Sequence, residues 1–204
     1  MIIMVFLHGT LIAHKNSAGK SRQEIIRQII DQEESVRDFA NYIPLGSASR
    51  KLQSWVFQGA EICYLSALTE NKKARGDEVV GKEGLIADEI VLERYGFPKG
   101  EIFHRNSKES YGKVIEKMFS PPDILIEDDC ESIGGEPEMT YPNLNPELKR
   151  KIKSITVKEF AGIDNLPDDL SILTDVSTCL PAGRPATHRM CVYTEDTIRK
   201  VAIV

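Results

Sequence analysis

The feature that most constrains this chain is the spacing of its short apolar runs. The first, "IIMVFL" (Ile2–Leu7), is apolar throughout, as a strand must be when both faces of its sheet are covered. Four more runs follow at intervals: "EICYLS" (Glu61–Ser66), "EIFH" (Glu101–His104), "DILIE" (Asp123–Glu127) and "SITVK" (Ser154–Lys158). The stretches between them have helical periodicity. Ser21–Ala40 carries Ile25, Ile26, Ile29, Ile30 and Val36 with charges between them, which predicts an amphipathic helix. Ile43-Pro44-Leu45-Gly46 reads as a break, and Ser47–Gln58 as a helix ending at Gly59. Glu83–Tyr95 is a further helix, stopped by Gly96 and Pro98. Ser107 is placed to cap a helix reaching Phe119, with Tyr111, Val114, Ile115 and Met118 on its inner face. Pro146–Lys153 predicts a short helix before the last strand.

Strands alternating with helices define a three-layer, doubly wound α/β fold of Rossmann type, built on a mainly parallel five-stranded sheet. That sheet is complete by about residue 173, with a short helical insert over about 13–58 and no large cap. Residues 174–204 form an extension richer in Thr and Arg. A folded appendage, a spare edge strand at Lys200–Val204, a disordered tail and a translated extension with little structural role all fit it.

Charge and cysteine content narrow the partners and the compartment. A net charge of −5 argues against nucleic acid or an anionic membrane, both of which reward a basic surface. A small phosphorylated ligand or a protein partner needs only a local site. Cys63, Cys130, Cys179 and Cys191 are far apart and contain no C-x-x-C pair, so neither a zinc cage nor a disulfide framework is indicated. The first apolar run is too short to span a membrane and lacks a basic leader and cleavage site. The expected location is therefore cytoplasmic.

Ligands of doubly wound sheets sit at the carboxyl ends of the strands. There the sequence offers His8-Gly9-Thr10, Ser66, Arg105-Asn106 and Asp128-Asp129. Thr10 and Ser66 supply hydroxyls, Lys113 an ammonium and Asp128-Asp129 paired carboxylates. A phosphate needs donors and a cation; a magnesium ion needs one or two carboxylates and keeps several waters. One rival motif, "HKNSAGKS" (His14–Ser21), is similar to the end of a P-loop. It lies too far from the preceding strand to cradle phosphates with its backbone, so it is read as a loop entering the next helix.

In order and spacing these elements resemble the haloacid dehalogenase-like (HAD) superfamily of phosphohydrolases over residues 1 to 173. "FLHGTL" corresponds to the first motif, "ICYLS" with Ser66 to the second, Lys113 (or Lys108) to the third, and "ILIEDD" with Asp128 and Asp129 to the fourth. "GIDNLPDDL" (Gly162–Leu170) is similar to the usual family ending. The resemblance implies phosphate binding by Thr10, Ser66 and Lys113 and magnesium binding by Asp128 and Asp129. It departs at the first motif. Alignment on Gly9-Thr10-Leu11 puts Phe6 at the aspartate nucleophile and His8 at the acid/base aspartate, and a phenyl ring can neither attack phosphorus nor bind metal. His8 retains the chemistry of a general acid or base.

The leading expectation is thus a HAD-like phosphate- or metal-binding protein, non-catalytic or very weakly active. One alternative is an active magnesium-dependent phosphomonoesterase with a non-standard first motif. Another is an interaction protein that keeps only the fold.

Overall fold

The computed structural model describes residues 1–69, 87–106, 108–174 and 190–192. In chain order the strands are β1 (Ile2–Phe6), β2 (Ile12–Ala13), β3 (Ile43–Pro44), β4 (Glu61–Thr69), β5 (Ile102–Arg105), β6 (Ile124–Asp128), β7 (Lys153–Val157) and β8 (Met190–Val192). The helices are α1 (Arg22–Ile30), α2 (Ala48–Phe57), α3 (87–94), α4 (Tyr111–Glu116), α5 (Pro146–Lys151) and α6 (Leu170–Thr174). All five expected strands are present. They pair in parallel in the order β5-β4-β1-β6-β7, and β8 extends the sheet beyond β7, also in parallel. The expected spare strand at Lys200–Val204 lies outside the described residues.

Alternation along β1 divides the core into two layers. Ile3 and Val5 face α2, α3 and α6, where Leu52, Trp55, Val91, Leu92, Leu170 and Leu173 pack. Met4 and Phe6 face the other way, onto Tyr111, Val114 and Ile115 of α4, together with Tyr141 and Leu144. Covering both faces explains why β1 is apolar at every position rather than at alternate ones. Each large side chain taken fully out of water in this way stabilises the fold by roughly 1.5–3 kcal/mol. The result is a three-layer α/β fold with β1 at its centre.

Several elements are shorter than the sequence predicts. The helix expected over Ser21–Ala40 stops at Ile30, after which Gln32 takes a left-handed conformation (φ 52°) and two 3-10 turns follow, Glu34–Arg37 and Phe39–Asn41. Its start is fixed by a capping box in which Ser21 and Glu24 exchange hydrogen bonds. The expected break at Ile43-Pro44 is a short strand, which pairs antiparallel with Ile12–Ala13. Proline is tolerated there because the pair is a two-stranded ribbon with open edges. Residue 107 lies outside the described set; α4 starts from Ser110 and ends at Glu116, short of the exposed Phe119. Lys153 opens β7 instead of closing a helix, and its buried ammonium donates to the Leu173 carbonyl at 2.5 Å. Among the described residues, no helix is long and apolar enough to cross a membrane.

Asp164, within "GIDNLPDDL", accepts from the Ser47 amide and hydroxyl at the start of α2. Buried Lys51 of the same helix binds the Leu166 carbonyl and Asp168. This segment therefore anchors the insert to the sheet.

Candidate metal centre

The order of the sheet reverses between β1 and β6, and the carboxyl ends of these two strands flank the place where a doubly wound sheet leaves a crevice for its ligand. The turn leaving β1 is tight: the Leu11 and Ile12 amides both donate to the Leu7 carbonyl, and Gly9 takes φ +86°. This turn points the buried Thr10 hydroxyl at β6, where it donates to Asp128 Oδ2 at 2.7 Å. The Cys130 amide satisfies Asp128 Oδ1 at 2.9 Å. Burial raises the Asp128 pKa; the Thr10 and Cys130 hydrogen bonds oppose that rise without cancelling it.

Successive strand residues point to opposite faces, so the neighbour Glu127 is excluded from the crevice. Its carboxylate is fully buried and accepts the Thr140 and Tyr141 amides at 2.6 and 2.8 Å. Its role is to pin the 3-10 turn at Tyr141–Asn143.

Two further carboxylates join Asp128. Asp129 accepts from Lys158 Nζ at 2.7 Å and from the Glu159 amide at 3.0 Å, and Arg22 lies 3.5 Å away. Burial works against its charge, but these hydrogen bonds and the two neighbouring cations outweigh it and hold its pKa below the ordinary value. Glu159 follows β7 and is held by the Ser132 amide and hydroxyl, both at 2.6 Å. Burial raises its pKa, with Asp128 and Asp129 adding to the effect against the Ser132 hydrogen bonds. One oxygen from each of Asp128, Asp129 and Glu159 lies within 4.8 Å of the others.

Gly9 makes this approach possible. A Cβ there would stand 2.9 Å from Asp128 Oδ2 and 3.2 Å from Glu159 Cγ. The donor set is all carboxylate oxygen, the chemistry of a hard divalent cation such as magnesium, and the residues present fit such an ion. Among the described residues, four carboxylates in this region, counting Glu131 at Arg22, face two basic groups, Arg22 and Lys158.

The remaining residues singled out by sequence lie around this cluster or away from it. Thr10 is in it. Phe6 is in the apolar layer, edge-on to Tyr111 with ring centroids 5.0 Å apart. His8 turns toward α3: Nδ1 accepts from the Ala67 amide at 3.3 Å and Nε2 lies 3.1 Å from Asp88 Oδ1. Nδ1 is thereby satisfied, whereas Nε2 and Asp88 Oδ1 are close without forming a hydrogen bond, and Phe39 and Tyr42 flank the ring. Ser66 is fully buried and donates to Asp88 Oδ2 at 2.6 Å, while the Leu68 amide donates to it. Lys113 is on the outer side of α4, paired with Glu116, and Lys108 is exposed.

Sequence reasoning missed Glu159, Asp88, Arg22 and Lys158. Glu159 had a readable signal, since it follows the fifth strand just as Asp129 follows the fourth. Asp88 and Arg22 sit on helices whose approach to the strand ends no local pattern encodes. Compared with known protein families and with curated proteins, the chain gives no match.

Proposed function

We propose that this chain is a HAD-like domain that binds a hard divalent cation, magnesium above all, through Asp128, Asp129 and Glu159. It holds a phosphorylated small molecule or a protein partner beside that cation and does not form an aspartyl-phosphate. The observation that carries this reading is the convergence of the three carboxylates with Thr10 at the crevice above β1. The parallel order with β1 central supports the HAD-like part, because it brings the Gly9-Thr10 turn beside the Asp128-Asp129 pair. Phe6 supports the non-catalytic part. At the position where the resemblance implies a nucleophile stands a ring packed on Tyr111, and no carboxylate lies in the turn itself.

When bound, the cation supplies a Lewis-acidic contact for phosphate oxygens. The chain's own contribution is orientation: Thr10 and the Cys130 amide fix Asp128, and Ser132 fixes Glu159. The test is phosphate release from a panel of phosphomonoesters with magnesium, comparing the wild type with Asp129→Asn. Neither protein should release phosphate above background. Release by the wild type that disappears in Asp129→Asn would overturn the non-catalytic reading in favour of metal-assisted hydrolysis.

A further inference from the structure

We infer that Arg22 and Lys158, rather than Lys113, receive the phosphate group of the ligand, and that they do so only after a divalent cation has bound. This rests on the metal-centre reading above and names the residues and the binding order. The two cations approach Asp129 from different elements. Lys158 comes from the end of β7, with Nζ 2.7 Å from Asp129 Oδ2; Arg22 comes from the first turn of α1, 3.5 Å from Oδ1. Arg22 is held at the site by Nε, which donates to the Glu159 carbonyl at 2.8 Å, and by its contact with Glu131. Both side chains reach water, Arg22 at 28% exposure and Lys158 at 64%. Lys113 has its ammonium on Glu116, on a helix whose inward residues are Tyr111, Gly112, Val114 and Ile115.

Charge sets the order of binding. In formal charge, Asp128, Asp129, Glu131 and Glu159 outnumber Arg22 and Lys158 by two among the described residues, so with these carboxylates ionised and no metal bound the site disfavours an anion. A divalent cation cancels that excess. It also takes over part of Asp129, which frees an N–H donor on Lys158 and lifts the charge pairing of Asp129 with Arg22, leaving both basic groups to phosphate oxygens. A guanidinium has five such donors in a planar fork and an ammonium has three. Binding free energies are reciprocal, so phosphate must tighten the metal by the same factor as the metal tightens phosphate.

The experiment is calorimetric titration of the full chain with inorganic phosphate, with and without saturating magnesium, on the wild type, Lys158→Gln, Arg22→Gln, Arg22→Lys and Lys113→Gln. With magnesium, phosphate affinity should fall at least about tenfold in Lys158→Gln and Arg22→Gln, less in Arg22→Lys, and not at all in Lys113→Gln. Omitting magnesium should weaken phosphate binding to the wild type at least about tenfold. Magnesium affinity measured alone should rise in Lys158→Gln, because a competing charge is gone. A purely structural latch would not change phosphate affinity in Lys158→Gln. Magnesium binding with unchanged phosphate affinity in Lys158→Gln would overturn this inference alone. A loss in Lys113→Gln instead would do the same. Absence of magnesium binding to the wild type would overturn the metal-centre reading beneath it. Should Arg22→Gln fail to fold, the exposed Lys158 decides the matter.

Discussion

Thr10 and Asp128, 118 positions apart in the chain, are joined by a 2.7 Å hydrogen bond that closes the crevice between β1 and β6. Both residues are buried, so neither has water as a substitute partner. Thr10→Val keeps the shape and removes the donor. The expected cost is about 1–3 kcal/mol, read as a lower denaturation midpoint, with Thr10→Ser close to wild type. An unchanged midpoint in Thr10→Val would mean that the bond is not formed in solution.

Gly9→Ala should be damaging for two reasons that act together. The backbone is left-handed there, and the added Cβ meets the Asp128 and Glu159 side chains at 2.9 and 3.2 Å. A loss of about 1–3 kcal/mol is expected from the strained backbone. Metal affinity should fall as well, since the methyl group pushes apart two of the three ligands. Loss of stability with metal affinity retained would separate the turn from the site.

Glu127 predicts a pH dependence. Complete burial pushes its carboxyl up to about 7 despite the Tyr141 and Thr140 amides, from an ordinary value of 4.5. Between those values the folded protein holds a proton that the unfolded chain has released. Stability should therefore decline as pH rises through that window, by up to about 3 kcal/mol. Asp128 and Glu159 are also raised and contribute with the same sign, so the difference between wild type and Glu127→Gln isolates this residue. The variant should lose stability from an amide N–H facing a backbone N–H, yet show the flatter profile. Identical slopes would exclude Glu127 as the titrating group.

The architecture is legible because short runs rich in apolar residues recur at intervals, and the five of them correspond to five adjacent parallel strands, with β1 apolar throughout because both its faces are covered. Helix ends were less legible. Nothing in the periodicity of Ile25 to Val36 announces that Gln32 turns left-handed, and Lys153 looks like a helix residue until its burial is seen. The strand-end rule found Thr10, Asp128 and Asp129, which share the crevice. It placed Ser66 at a strand end but could not foresee that Asp88, reaching in from α3, would take its hydroxyl. Lys113 was chosen by its position before a strand, whereas the cations at the acids, Arg22 and Lys158, are brought there by tertiary packing.

The most direct measurement is a Mn2+ titration followed by electron paramagnetic resonance on the wild type, Asp129→Asn and Glu159→Gln, with magnesium as competitor. The expected result is a saturable Mn2+ site that magnesium displaces and that each substitution weakens at least about tenfold. Binding that is not saturable, or that is equal in all three proteins, would contradict the assignment of Asp128, Asp129 and Glu159 as a metal centre.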